Sequence, residues 1–227
     1  MAIEKIGDAV EDREAWLEAR KGLLTSSKVF TWVGDNIPSW WGDTRGSILR
    51  DDKVFDDETA TSVLHGTHSE DNVIAKFEAS TGMLCVGENS LWYNDNFPGI
   101  GASIDGYCYP PTAPKFAPFP EMCQDRGQLQ RVMDEVSPYK RTILECKYST
   151  STKWQTEVPI YYIPQLQTQM WVLDLPAAII VASTIKRGAS QKWRWFWDLR
   201  PYVVLRDPAW EKKLQVAGQE YLTAIGK

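Results

Sequence analysis

Ile100-Gly101-Ala102-Ser103-Ile104-Asp105-Gly106 and Ile143-Leu144-Glu145-Cys146-Lys147 are the two stretches from which the rest of the chain is read. Each is a largely apolar, extended run that arrives at charge. Side chains alternate along a strand, so Glu145 and Lys147 share one face, about 7 Å apart along the chain, while Cys146 points the other way into a core. An Asp from one strand beside a Glu-x-Lys from another supplies two carboxylates, a lysine and the backbone carbonyl of the intervening residue. Mg²⁺ takes hard oxygen ligands in a near-octahedral shell and keeps several waters, so one or two carboxylates, a carbonyl and a phosphate oxygen suffice. Asp105 and Glu145 are the candidate carboxylates. Lys147 is the candidate for orienting or deprotonating an attacking water and for offsetting charge on phosphorus oxygens. A lysine beside divalent cations is expected to have its ammonium form disfavoured by like charge. Glu-x-Lys on a half-exposed strand is also an ordinary salt bridge, and the tripeptide alone does not separate the two readings.

Two helices add polar groups. After His65-Gly66-Thr67-His68-Ser69-Glu70, the apolar positions Val73, Ile74 and Phe77 recur at helical spacing up to Gly82, which puts Glu70 near a helix start. Glu70 is a candidate metal ligand, and equally a cap, because Thr67-x-x-Glu70 fits a capping box. Farther on, Pro164 suits a first helical turn, and Leu166, Met170 and Leu173 form an apolar stripe. Tyr162, Gln165 and Gln169 form a second, polar stripe. Amides and a phenol on one face can position water and phosphate, although an exposed polar face is the default meaning of such a stripe.

The remaining elements follow from local pattern. A helix is expected from Asp12 to Lys21, ending at Gly22, with a short second helix capped by Thr25 or Ser26 and running through Val33. Extended runs cover Leu84 to Tyr93 and Gly99 to Tyr109, a buried strand covers Ala177 to Thr184, and an amphipathic helix covers Pro208 to Ile225. Residues 35 to 62 read as polar and tryptophan-bearing, including Ser39-Trp40-Trp41-Gly42-Asp43. Trp193, Trp195 and Trp197 share one face of an extended run, and packing on a helix or neighbouring subunit is preferred over stacking on bases.

Composition sets outer bounds. A chain of 227 residues buries a full core, and the expectation is one α/β domain over residues 1–227. No stretch has the apolar length of a membrane span, and the start Met1-Ala2-Ile3-Glu4-Lys5 lacks the regions of a signal peptide, so a cytoplasmic location is expected. A formal charge of -5 excludes a general nucleic-acid-coating surface and confines any DNA contact to a local groove or channel. Cys85, Cys108, Cys123 and Cys146 show neither C-x-x-C spacing nor pairing with histidine, so neither zinc nor an iron–sulfur cluster is indicated.

The order of the motifs resembles the lambda-exonuclease (YqaJ-type viral recombinase) family. The likeness begins at Trp16-Leu17-Glu18-Ala19-Arg20-Lys21-Gly22-Leu23-Leu24-Thr25-Ser26-Ser27. It continues through Gly66-x-x-x-Glu70, Ser103-Ile104-Asp105-Gly106, Leu144-Glu145-Cys146-Lys147 and Tyr162-x-x-Gln165-x-Gln167-x-x-Met170-Trp171. The resemblance implies an α/β, restriction-endonuclease-like core, a central mixed sheet flanked by helices. It implies Mg²⁺, with Mn²⁺ as a substitute, held by Asp105, Glu145, the Cys146 carbonyl and Glu70. Lys147 takes the role of general base or water-orienting residue, and Gln165 that of its helper. Arg20, Ser27 and Ser103 fall at positions that resemble a pocket for a 5′-terminal phosphate, gripped by charge-assisted hydrogen bonds. Lys153 stands where the family places an arginine, which keeps the charge and loses the bidentate fork. Taken locally, Arg20 is equally a helix residue stacked on Trp16, four positions earlier. The absence of cluster-type cysteines argues against the cluster-bearing, RecB-type branch of these nucleases.

The activity so implied is 5′-to-3′ degradation of one strand of linear duplex DNA from a 5′-phosphorylated end, leaving a 3′ overhang for recombination. A homotrimeric ring threading DNA and a single-strand annealing protein as partner are implied with it, in the cytoplasm of a bacterial host if the source is a phage. The alternatives are an endonuclease on the same PD-(D/E)XK core and a noncatalytic DNA-end-binding module. One departure is long. Residues 109 to 141 intervene between the Asp and Glu-x-Lys strands, with Pro110, Pro111, Pro114, Pro118, Pro120 and Pro138 among them. That density excludes a continuous strand or helix across Pro110 to Pro120 and marks a Pro-rich insertion carrying a short helix, placed to touch DNA, a neighbouring subunit, or neither.

Overall fold

The computed structural model of the chain describes residues 2–8, 11–33, 44–50, 70–88, 90–111, 126–149, 152–184 and 198–227. They begin with β1 (Ile3–Asp8), α1 (Arg13–Lys21), β2 (Leu24–Thr25), α2 (Phe30–Val33), α3 (Arg45–Arg50) and α4 (residues 70–81). There follow β3 (Leu84–Gly87), β4 (Ser90–Asn94), β5 (Ile100–Ser103), β6 (Gly106–Tyr109), α5 (Arg126–Val136) and β7 (Thr142–Ser149). Short 3₁₀ turns at Thr152–Gln155 and Ile160–Tyr162 lead to α6 (Ile163–Val172), β8 (Ala177–Thr184), β9 (Asp198–Leu205) and α7 (Ala209–Ala224). The class is α/β, as expected, but the strands form two mixed sheets rather than one, in the orders β1-β4-β5-β2 and β3-β6-β7-β8-β9. No described helix is long and apolar enough to cross a membrane. Thr67, Ser39 to Asp43, Cys123 and the tryptophans Trp193, Trp195 and Trp197 lie outside the described residues.

The division into two sheets has a local cause. The runs Leu84 to Tyr93 and Gly99 to Tyr109, each expected as one extended segment, pair as a long antiparallel hairpin that changes sheet midway. In one sheet Leu91 of β4 faces Ser103 of β5, and in the other Gly87 of β3 faces Gly106 of β6. Between those pairs the chain has three residues on the β3–β4 side and two, Ile104 and Asp105, on the β5–β6 side. An extra residue on one side of a ladder is a bulge, which bends the strand and re-aims a side chain. The bend is held by the Glu88 N–H, which donates to the Asp105 carbonyl at 3.0 Å. Gly106 permits the close approach there, since a Cβ on it would lie 2.6 Å from the Val86 carbonyl oxygen.

Strand β7 carries the Glu-x-Lys tripeptide through the middle of the five-stranded sheet, antiparallel to β6 and parallel to β8. Glu145 faces Ile180 and Lys147 faces Ala182, on the side where Leu166 and Met170 of α6 pack with Ile143 and Trp154. Cys146 points to the opposite side, among Val73 and Phe77 of α4 and Leu129, Val132, Met133 and Val136 of α5. Those four α5 positions repeat at i, i+3, i+4 and i+7, one apolar helix face. The later part of the expected insertion is therefore a core helix, and residues 112–125 lie outside the described ones.

Helix α7 closes the four-stranded sheet, burying Leu214, Ala217 and Tyr221 against Leu24, Phe97 and Ile100. Its Gly218 meets the turn before β5, where Gly99 has φ 79°, and a Cβ on Gly218 would fall 2.2 Å from the Pro98 carbonyl oxygen. An alanine in a helix interior ordinarily stabilises by about 0.5–1 kcal/mol relative to glycine. Here the clash with fixed backbone reverses the sign. Gly218→Ala is expected to destabilise the fold by about 2 kcal/mol, read as a Tm lowered by about 4–8 °C in thermal denaturation; an unchanged or raised Tm would contradict this packing.

Candidate active site

Asp105 stands at the bend of the hairpin, where β6 has not yet begun, so among the described residues the edge of β7 beyond Leu144 has no strand partner on that side. The Asp105 carboxylate takes the vacant place, accepting the Cys146 backbone N–H at Oδ2 over 2.7 Å. The N–H and C=O of one strand residue leave on the same side. The Cys146 carbonyl consequently faces the Asp105 side of β7, as a main-chain oxygen donor set between Glu145 and Lys147.

Glu145 is 2 % exposed, and its carboxylate accepts from three side-chain donors. Lys147 Nζ pairs with Oε1. Gln165 Nε2, from the first turns of α6, also donates to Oε1, at 2.6 Å. Gln169, one helical turn later, donates through Nε2 to Oε2 at 2.6 Å and to the Ser103 carbonyl at 2.8 Å. Tyr162 lies beneath the ammonium, with Lys147 Nζ 5.3 Å from its ring centroid. Gln165, expected as a helper of Lys147, thus bonds the oxygen that Lys147 bonds. Gln169 belongs to the site although the sequence marked it only as part of a polar stripe; its spacing of four from Gln165 on a helix facing Glu145 was the available signal.

The charges are strongly coupled. Burial, followed by the neighbouring Glu145 carboxylate, holds the Asp105 carboxyl well above its ordinary value, against the opposing pull of Lys147 and the Cys146 N–H. Glu70, in the first turn of α4, is pushed up to about 7, mainly by burial; Lys147 opposes this, while Glu145 and Asp71 reinforce it. Burial of Lys147 favours its neutral form, but the Glu145 and Asp105 carboxylates outweigh burial and raise it above its ordinary value. The protein's own groups therefore keep Lys147 an ammonium, opposite to the effect expected of a bound divalent cation.

The structure brings Glu70, Asp105, Glu145, Lys147 and Gln165 into one interacting group. Of the other candidates, Arg20 ends α1 with its guanidinium carbon 4.1 Å from the Trp16 ring centroid, the stacked arrangement open to it locally. Ser27 is exposed beside Thr25, their hydroxyls 3.5 Å apart, and the Ser26 N–H donates to the Gly101 carbonyl, which joins this corner to β5. Ser103 ends β5 with its hydroxyl buried and, among the described residues, without a hydrogen-bond partner. Lys153 is exposed on the 3₁₀ turn after β7.

Among the described residues, no three carboxylate, imidazole or thiol groups converge as a ready-made metal cage. The donor chemistry nevertheless fits a hard divalent cation: the available atoms are carboxylate and carbonyl oxygens. Burial, reinforced by Glu145, disfavours the charged forms of Asp105 and Glu70, and a cation at this place would favour them.

Residues 15–177 match the YqaJ-like viral recombinase domain. The fold is similar to an alkaline exonuclease, LHK-Exo, from Laribacter hongkongensis, with TM-score 0.58 and 16% identity over 93% of this chain and 92% of that one. LHK-Exo in complex with dAMP gives TM-score 0.59 at the same identity and coverage. At this identity the likeness is one of fold. No curated protein matches the chain.

The Glu70 shift has a consequence for stability. With a value near 7 in the fold against an ordinary 4.5, the folded chain binds a proton that the unfolded chain has lost, so stability falls as pH rises through this window. Glu70→Gln removes that dependence. Its stability relative to the unsubstituted protein is expected to be greater at pH 8 than at pH 5 by about 1 kcal/mol after allowance for solvent screening, read as a relative Tm about 2–4 °C higher. An equal difference at both pH values would contradict the coupling.

Proposed function

Because the chain belongs to the YqaJ-like viral recombinase family, we propose that it is a metal-dependent exonuclease. In this reading it degrades one strand of linear duplex DNA from a 5′-phosphorylated end, 5′ to 3′, and leaves a 3′ overhang for recombination. The observation that carries the proposal is the pairing of Asp105 with the backbone of Cys146, between Glu145 and Lys147 on β7. The fold it shares with an alkaline exonuclease, one also known in complex with a nucleoside monophosphate, supports the same chemistry.

Asp105, Glu145, the Cys146 carbonyl and Glu70 would hold Mg²⁺, or Mn²⁺ in its place. The ion, when bound, polarises the phosphoryl group and offsets the charge of the pentacovalent transition state. Lys147, kept as an ammonium by Glu145, donates to a phosphate oxygen or to the attacking water and restrains its orientation. Gln165 and Gln169 restrain the Glu145 carboxylate, and the Tyr162 ring lies beneath the Lys147 ammonium. Arg20, Ser27, Ser103 and Lys153 are proposed to take the 5′-terminal phosphate, whose grip defines polarity. With a net charge of -5, DNA contact is confined to the neighbourhood of this site. A closed homotrimer enclosing the duplex would supply processivity, and a single-strand annealing protein in the bacterial cytoplasm would take up the exposed strand.

The test is digestion of a linear duplex phosphorylated at one 5′ end, with Mg²⁺ or EDTA. Mononucleotides are expected from the phosphorylated strand alone. They should be lost with EDTA, and Asp105→Ala should reduce them roughly 100-fold or more. Arg20→Ala is expected to cut the preference for 5′-phosphate over 5′-hydroxyl ends about tenfold, the value of one charge-assisted hydrogen bond. Cutting of a closed circle with no release from linear ends would establish an endonuclease instead, and DNA binding without a metal-dependent product would leave a binding module.

A further inference from the structure

Gln169 is fully buried in α6, yet only one end of its amide is satisfied. Nε2 donates to Glu145 Oε2 and to the Ser103 carbonyl, while Oε1 is buried without a partner among the described residues. Turning the amide over would set its carbonyl against two acceptors, a carboxylate and a main-chain oxygen, so the observed orientation is imposed by the donor end. A buried amide whose acceptor goes unused is held in place for its donor.

The two acceptors belong to different parts of the fold. Ser103 ends β5 in the four-stranded sheet, two residues before Asp105; Glu145 lies on β7 of the five-stranded sheet. One NH₂ group therefore ties the Asp105-bearing bend to the Glu145-bearing strand. At Glu145 the donors divide unevenly: Lys147 and Gln165 both use Oε1, and among the hydrogen bonds of the described residues Gln169 alone uses Oε2. Losing Gln165 leaves Lys147 on its oxygen. Losing Gln169 frees Oε2, leaving the carboxylate held at Oε1 alone and able to swing about it.

We propose that Gln169 is a positioning residue that sets the orientation of Glu145 and its spacing from the Asp105 bend, and so tunes affinity for a divalent cation. The inference rests on the metal-dependent reading of the site. Partners that orient a metal's ligands typically contribute a factor of 10–100 in metal affinity.

The experiment measures Mn²⁺ binding to the DNA-free protein by electron paramagnetic resonance, for the unsubstituted chain and for Gln169→Met, with Tm recorded alongside. Methionine keeps most of the volume and removes both polar ends. Mn²⁺ binding weakened about tenfold or more, with Tm held within about 3 °C, is the expected result. kcat should fall with KM for DNA held, because the residue acts on Glu145 and not on DNA. Mn²⁺ affinity unchanged in Gln169→Met, while the unsubstituted chain binds Mn²⁺, overturns the positioning role and leaves the metal site standing. No Mn²⁺ binding by the unsubstituted chain overturns the metal-dependent reading, and the role falls with it. Should Gln169→Met not fold, Gln169→Asn, too short to reach both acceptors, is measured in its place with the same expectations.

Discussion

The site depends on one hydrogen bond, from the Cys146 backbone N–H to the Asp105 carboxylate at 2.7 Å. A strand edge deprived of its neighbour exposes donors and acceptors that must be satisfied elsewhere. Here the hairpin bends away from β7 at the point where Asp105 would have continued the ladder, and the carboxylate replaces the missing strand. The same bulge that divides the strands between two sheets therefore delivers an acidic side chain to the middle of the molecule. Bend, sheet division and site are consequences of one register change.

Electrostatics then makes the arrangement useful. Asp105, Glu145 and Glu70 are brought together with one ammonium, Lys147, and two amides, Gln165 and Gln169. Burying carboxylates is unfavourable, and the raised carboxyls of Asp105 and Glu70 record first that burial and then the repulsion of Glu145. The protein tolerates this by bonding every lone pair it can reach. Glu145 collects three donors, while Asp105 receives a main-chain N–H. Under the proposed function, a site built in this way would take a compact cation and, through it, a polyanionic substrate that a chain of net charge -5 would otherwise repel.

Much of this was legible in the sequence because the signals were local. Asp12 caps α1 by accepting the Ala15 N–H, and Gly22 ends that helix, as spacing and residue type indicate. Pro164 opens α6, and Leu166 and Met170 are buried from it. Glu145 and Lys147 share a face because strands alternate. What stayed hidden depends on distant pairing. Strand β1 has neither an apolar run nor a buried residue, and it exists because β4 lies beside it. The break at Asp105 is invisible until the register of both strands is known, since Gly99 to Tyr109 reads as one extended run. Helix α5 is expected as a short helix within an insertion, but that its apolar face of Leu129, Val132, Met133 and Val136 joins the core shows only in the fold. Gln169 looked like an exposed polar residue because nothing in the sequence says that its stripe faces a buried glutamate.

The central claim is that Asp105, Glu145 and the Cys146 carbonyl form the seat of a divalent cation. Anomalous diffraction from crystals soaked in Mn²⁺ tests it most directly. The account predicts an anomalous peak in contact with the Asp105 and Glu145 carboxylates and the Cys146 carbonyl oxygen. A peak bound elsewhere, or none at this position under saturating Mn²⁺, would contradict it.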